Sequence, residues 1–179
     1  MRIGISDEGK KLEYTVSESE YRELGSLLSG DEVSDVSFLE DCDMRYRAKV
    51  HALRILSCGD NSVKTLKRKL MAKSISSDAA DEVCREMVGL GYINESRQLE
   101  KLIENEVNVK LSGRRKLIPK LVSKGYKKEK VECVLEKLIS HGIVDFDKSS
   151  RKLIDKKFPE GASEDDIRAL LYKYGYSEA

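Results

Sequence analysis

Lysines recur at every fourth position in one short segment of the chain. The segment "RRKLIPKLVSKGY", Arg114 to Tyr126, carries Lys116, Lys120 and Lys124 beside apolar residues at helical spacing. Residues four apart lie on one face of a helix, so the three ammonium groups form a row. A basic row suits a polyanion, because each neutralised phosphate releases counterions and favours binding without reading a base sequence. The segment therefore predicts a polyanion-binding helix face.

The charge around this row is strongly polarised, although the whole chain has a net charge of only +1. Nine Lys and Arg residues lie between Lys110 and Lys130, against the single acid Glu129. Residues 1–45 show the opposite bias, with 5 basic and 12 acidic residues, which leaves 28 and 20 for the remainder. An acidic head and a basic body predict different partners for the two parts.

Signatures of catalysis are missing from the sequence. It holds no phosphate-binding G-x-x-x-x-G-K-[ST] loop, no G-x-S-x-G elbow and no H-E-x-x-H. His51 and His141 have no Cys or carboxylate at ligand spacing, so we interpret them as helix-surface residues. We interpret the four cysteines, none of which forms a C-x-x-C pair, as buried reduced thiols: Cys42, Cys58, Cys84 and Cys133. We expect no catalysis, no metal and no cofactor.

The basic segment belongs to an internal repeat of about fifty residues. A shift of 51 residues superposes apolar, basic and glycine positions, and a further shift of 50 takes Leu121 to Leu171 and Tyr126 to Tyr176. The pairs related by the first shift are Leu66 and Leu117, Lys69 and Lys120, Leu70 and Leu121, Lys73 and Lys124, Val83 and Val134, and Gly91 and Gly142. A period of this length is typical of stacked helical modules.

Apolar periodicity predicts three helices in each full repeat. The fold class that follows is mainly α, with tandem three-helix repeats and a small N-terminal hairpin-plus-helix cap. The predicted segments are an acidic cap at 1–44, repeat 1 at 45–93, repeat 2 at 94–144, and a truncated repeat 3 of two helices at 145–179. The predicted helices are 19–28, 45–57, 62–73, 77–90, 95–111, 114–124, 128–141, 146–157 and 163–174.

Two local features refine this scheme. In the cap, "RIGIS" and "KLEYTVS" flank "DEGK" and predict a hairpin, and a polar turn is expected at Gly30. Pro119 lies inside the basic helix, where a proline removes one hydrogen bond at a cost of roughly 3 kcal/mol. We therefore expect a kink near Arg115 or a late helix start.

The order and spacing of several motifs resemble the RecX family of bacterial recombination regulators. They lie in "ALRILSCGDNSVKTLKRKLMAKSISSDAADEVCREMVGLGYINESRQLEKLI", Ala52 to Ile103, and in "GRRKLIPKLVSKGY" from Gly113. The resemblance implies three-helix repeats in an elongated curved array that form a non-enzymatic modulator, which binds RecA and RecA-DNA filaments. We expect this protein to be a monomer. The resemblance also implies inhibition of recombinase ATP hydrolysis, filament growth and strand exchange, which would temper recombinational repair and the SOS response.

The basic helices of repeats 1 and 2 would then contact RecA or the backbone of single- and double-stranded DNA. In repeat 3 the row fades, since its equivalents are Asp166, Leu170 and Tyr174. The candidate contact residues are Lys64, Lys67, Arg68, Lys69, Lys73, Arg114, Arg115, Lys116, Lys120, Lys124, Lys127 and Lys128.

Two other functions stay open at the level of sequence. Three-helix units with a basic helix also resemble helix-turn-helix transcription regulators, although lysines suit phosphate contact better than base readout. A helical-repeat adaptor that binds only protein is the other alternative. No secretory signal and no long apolar run occur, so we expect a cytoplasmic protein that does not enter the membrane.

Overall fold

The computed structural model describes residues 1–7, 10–27 and 36–176. Within these residues the chain forms nine α-helices and one two-stranded antiparallel sheet. This architecture confirms the predicted mainly α class with a small N-terminal hairpin. The turn predicted at Gly30 lies outside the described residues. The chain divides into two compact units, Met1–Asn61 with Thr65–Ile93, and Ser62–Lys64 with Asn94–Ala179.

The first unit begins with the predicted hairpin. Strand β1 (Arg2–Asp7) pairs with β2 (Lys10–Thr15) in a register that sets Ile3 opposite Tyr14. Helix α1 (Glu18–Leu27) follows, and the Ser17 backbone N–H and hydroxyl both donate to Oε2 of Glu20, at 2.9 and 2.7 Å. This reciprocal cap fixes the start of α1 within one residue of the predicted start.

Helix α2 (Ser37–Ser57) starts eight residues before the predicted start at residue 45. Leu39 and Cys42 are fully buried. They pack against Tyr14 of β2 and against Val16, which follows β2. The predicted boundary was wrong because acidic residues surround these two positions and conceal a short apolar stripe. The hairpin supplies the apolar partner that makes the extra two turns of helix stable.

Two further helices complete the first unit, although the first two residues of the earlier helix, Val63 and Lys64, belong to the second unit. Helices α3 (Val63–Met71) and α4 (Ser77–Gly89) lie close to their predicted ranges. The Ser76 side chain accepts a hydrogen bond from the backbone N–H of Ala79 and so caps α4. Leu66 and Leu70 are fully buried, as their periodic spacing predicts.

The second unit contains the remaining helices. Its core is built from buried residues of three of them, including Leu99, Ile103, Leu117, Leu121 and Leu135. Its elements are α5 (Glu95–Glu104), a π-helical turn (Asn105–Val109), α6 (Arg114–Ser123), α7 (Lys128–Ser140), α8 (Phe146–Lys157) and α9 (Glu164–Tyr174).

The structure corrects one predicted helix range in the second unit and one of the two outcomes expected for Pro119. The helix expected to run to Leu111 leaves α geometry at Asn105, whose carbonyl accepts from the N–H of Lys110. The late start expected for α6 is wrong, because the helix begins at Arg114 although Pro119 lies inside it. A kink near Arg115 stays a prediction. The first turn of α6 is anchored, because the N–H of Arg115 donates to the Gly175 carbonyl and the Gly113 N–H donates to the Tyr174 carbonyl.

Three helices end in the same way at the positions that the repeat equates. A residue in the left-handed conformation is followed by a buried residue whose N–H donates to the carbonyl five positions back. The left-handed residues are Ser74, Gly125 and Gly175, with φ of 60°, 95° and 88°. The N–H donors and carbonyl acceptors are Ile75 with Leu70, Tyr126 with Leu121, and Tyr176 with Leu171.

The predicted division of the chain into a cap and three repeats, at 1–44, 45–93, 94–144 and 145–179, stays a prediction.

Candidate nucleic-acid interface

The three lysines of the α6 row are exposed but have different surroundings. Lys120 Nζ lies 2.7 Å from Oε2 of Glu106. Lys116 Nζ lies over the ring of Tyr174, 5.7 Å from its centroid. The row is therefore partly engaged in the packing of its own unit.

Glu106 is the centre of this arrangement. It is only 3% exposed, and its carboxylate also accepts from Lys110 Nζ at 2.7 Å and from the Ser112 hydroxyl at 3.5 Å. Burial by itself raises the pKa of the Glu106 carboxyl, but the hydrogen bonds from Lys110 and Lys120 outweigh it. The pKa consequently lies below its usual value.

Sequence reasoning missed both Glu106 and Lys110. The signal that could have found them is the apolar stripe of the preceding helix, which Leu99 and Ile103 define and which Glu106 continues at helical spacing. A carboxylate on a buried stripe requires a partner, since an unpaired buried charge is strongly unfavourable. The sequence offers Lys110 four residues later as a ready partner.

Other cations of this segment are also engaged locally. Arg114 Nη2 lies 2.5 Å from Oε1 of Glu136, and Lys128 Nζ lies 3.8 Å from Oε1 of Glu132. The Arg115 guanidinium stacks over the Tyr172 ring at 4.6 Å from its centroid. Lys124 is exposed, and its backbone carbonyl accepts a hydrogen bond of 2.9 Å from the Ser62 hydroxyl. Acids of α7 thus offset part of the charge that the sequence concentrates here.

Helix α3 keeps more of its positive charge without an acidic partner. Lys67 Nζ pairs with Asp81 Oδ2 at 2.5 Å, and Lys69 Nζ donates to the neutral Oδ1 of Asn61 at 2.6 Å. Over residues 1–7, 10–27 and 36–176, four exposed cations of the candidate set have neither an acid, nor an amide, nor an aromatic ring as side-chain partner: Lys64 and Arg68 in α3, Lys73 just after it, and Lys127 at the start of α7.

The residue types that carry catalysis are dispersed. His51 is partly buried in α2, and His141 is exposed at the end of α7. Cys42 and Cys84 are buried, and burial raises the pKa of both thiols, but Cys58 and Cys133 are exposed, so the buried-thiol prediction fails for those two. In the part of the chain that the structure describes, no cluster of His, Cys, Asp or Glu could hold a metal ion, and no helix is long and apolar enough to cross a bilayer.

Two known proteins whose sequences are similar to this chain carry the same name. No protein-family model matches the chain. The regulatory protein RecX of Caldanaerobacter subterraneus is 28% identical over 132 residues, which cover 72% of this chain and 64% of that protein. The regulatory protein RecX of Clostridioides difficile is 26% identical over 115 residues, or 63% of this chain and 54% of that protein. These matches support a RecX family protein.

Two solved RecX structures are similar to this chain in fold. A crystal structure of a regulatory protein RecX matches 99% of this chain and 90% of its own, with a TM-score of 0.76 and 18% identity. RecX from Lactobacillus salivarius matches 74% of this chain and 97% of its own, with a TM-score of 0.51 and 19% identity. The chain spans about two thirds and about half the length of the two curated RecX relatives described above.

Proposed function

We propose that this chain is a non-enzymatic regulator that binds RecA and RecA-DNA filaments. It inhibits recombinase ATP hydrolysis, filament growth and strand exchange, and so modulates recombinational repair and the SOS response. The observation that carries this proposal is the similarity over 132 residues to a regulatory protein RecX. The protein would act as a monomer in the cytoplasm, where a DNA-bound recombinase is found.

The charged helices support a polyanionic target. Lys64, Arg68 and Lys73 at α3 present positive charge that no acid in the described chain offsets. Side chains of this kind neutralise phosphates or acidic protein surfaces, and the lysine ammonium acts there as a point charge. Binding through them would be independent of sequence and strongly dependent on salt.

The test is RecA-catalysed, single-strand-dependent ATP hydrolysis with the chain titrated at substoichiometric ratios. We expect inhibition below one chain per RecA. A parallel DNA-binding assay without RecA separates the alternatives. If the chain leaves RecA ATP hydrolysis unchanged but binds DNA tightly and with sequence dependence, a transcription regulator is favoured. If it leaves RecA ATP hydrolysis unchanged and does not bind DNA even at low salt, a protein-only adaptor is favoured.

A matched pair of variants tests the α3 contribution. Lys64→Glu with Arg68→Glu reverses two exposed cations of α3, and Lys148→Glu with Lys152→Glu reverses two exposed cations, also four residues apart, of α8. The two double variants have the same net charge. We expect only the α3 variant to lose most of the inhibition, and equal losses would show that overall charge, rather than this surface, is responsible.

A further inference from the structure

One buried carboxylate holds two lysine ammonium groups side by side in the second unit. Lys110 Nζ binds Oε1 of Glu106 and Lys120 Nζ binds Oε2, each at 2.7 Å. Glu106 is 3% exposed, whereas the side chains of Lys110 and Lys120 are 50% and 45% exposed. Each ammonium has three N–H donors and donates one hydrogen bond to Glu106. The two lysines therefore retain N–H donors that can bind a ligand. The three side chains together carry a charge of +1.

The backbone around the three residues is fixed by its own hydrogen bonds. The N–H of Lys110 donates to the Asn105 carbonyl at 3.0 Å and closes the π-helical turn. The N–H of Ser112 donates to the Glu106 carbonyl at 2.9 Å. Lys120 projects from α6, whose first turn is anchored at Gly113 and Arg115. The cations therefore sit on a rigid frame, which lowers the entropy lost when they bind a ligand.

The first unit holds its equivalent lysine in a similar way. Lys69 aligns with Lys120 in the repeat, and its Nζ donates to Oδ1 of Asn61 at 2.6 Å. Asn61 is 8% exposed, so this acceptor is also buried. In two successive repeats, then, a buried oxygen fixes the middle lysine of the row while its ammonium stays at the surface.

We propose that Lys110 and Lys120, positioned by Glu106, form a binding site for a phosphodiester group of a nucleic-acid backbone. A phosphate oxygen of a polynucleotide accepts an N–H from each ammonium, and its single negative charge offsets the net +1 of the three side chains. Glu106 acts through the two lysines and does not touch the phosphate. This inference rests on the proposed function, since it names one place where the chain contacts DNA.

Glu106→Gln separates this account from simple charge attraction. The substitution raises the net charge by one, so general electrostatics predicts tighter binding to a labelled single-stranded oligonucleotide. The positioning account predicts the reverse: about 3- to 10-fold weaker binding at low salt, because the amide binds ammonium groups less strongly and releases the lysines. We also expect the salt dependence to weaken by about 0.7 in slope, the contribution of one phosphate contact on a single strand. Equal or tighter binding by a folded variant overturns the proposal.

If Glu106→Gln does not fold, a second pair of variants still tests the phosphodiester site. Lys110→Ala leaves the Lys120 and Glu106 pair in place, and Lys101→Ala removes an exposed lysine of α5. Both variants lose one positive charge. We expect Lys110→Ala to weaken oligonucleotide binding several-fold more than Lys101→Ala. Equal effects of the two overturn the site.

Oligonucleotide binding by the parent protein separates a failure of the phosphodiester site from a failure of the proposed function. If the parent does not bind the oligonucleotide at low salt, the phosphodiester site is wrong, while RecA inhibition in the ATPase assay still decides the proposed function. If the parent binds and the Glu106 and Lys110 variants bind as their controls do, the site is wrong and the proposed function is unaffected.

Discussion

Lys120 Nζ and Glu106 Oε2 lie 2.7 Å apart, and the carboxylate is almost completely buried. The lysine at the centre of the α6 row is therefore part of the second unit's structure as well as of its charged surface. Its neighbour Lys116 shares the same helix face, but the Lys116 ammonium lies over the ring of Tyr174 and not against a carboxylate. The two lysines should respond differently to charge reversal.

Lys120→Glu is predicted to lower the free energy of unfolding by about 2–3 kcal/mol. It removes one partner of a buried carboxylate and places a second negative charge beside it, although the half-exposed position of Lys120 limits the cost. Lys116→Glu is the control, with an expected change of under about 1 kcal/mol. Urea denaturation followed by circular dichroism measures both. Equal stability of the two variants would show that the Glu106 pair contributes nothing.

Glu106 also predicts a pH dependence. Its carboxyl has a lower pKa in the folded chain than in the unfolded chain, so the stabilisation is present above the unfolded value, about 4.3, and is lost as pH falls through the folded value. The parent should lose stability from about pH 5 downward more steeply than Glu106→Gln. Glu20 has a shift of the same sign in both proteins, so the difference between the two curves isolates Glu106. Parallel curves would rule out this contribution.

Gly113→Ala is predicted to destabilise the second unit by about 1–3 kcal/mol. A Cβ at this position would lie 2.3 Å from the backbone carbonyl carbon and oxygen of Gly175 and 2.4 Å from the backbone nitrogen of Tyr176. The contact would force apart the first turn of α6 and the end of α9. Thermal unfolding gives the comparison.

Gly89→Ala is the control for this substitution, because its Cβ meets nothing within 4 Å in α4. Alanine is the better helix former, so we expect no loss and up to about 1 kcal/mol of gain. A Gly113→Ala protein that unfolds at the parent's temperature would show that the two segments separate without cost.

Leu121→Ala is predicted to cost about 2–5 kcal/mol, because the side chain is fully buried in the core of the second unit. The adjacent Val122 is 39% exposed, and Val122→Ala should cost under about 1 kcal/mol. Chemical denaturation midpoints of the pair check the helix phase directly. Similar losses for both residues would mean that the buried face of α6 is assigned incorrectly.

Periodicity was enough to predict most helices, because each carries an apolar stripe that needs no knowledge of its partner. The start of α2 was missed because Leu39 and Cys42 are buried by the hairpin, a contact between segments that are distant in sequence. The π-helical turn at Asn105 was missed for a similar reason. It places Glu106 against Lys120, fourteen residues away.

Contacts between residues distant in sequence also determine which charged side chains are available at the surface. The density of basic residues along the sequence favoured Lys110–Lys130 as the contact surface. Acids that pair with cations of this window lie outside it, at Glu106, Glu132 and Glu136. On α3 the candidate residues Lys64 and Arg68 stay without an acidic partner in the described chain. A count of charges along the sequence predicts a basic surface, and only the packing shows which cations are available.

Co-sedimentation with RecA filaments is the measurement that tests the central claim most directly. The chain, labelled at the exposed Cys58 and Cys133, is mixed with filaments formed on single-stranded DNA with a non-hydrolysable ATP analogue, and DNA without RecA is the control. We predict that the chain pellets with the filaments at salt concentrations that release it from DNA alone. A chain that stays in the supernatant with filaments at low salt would contradict the account.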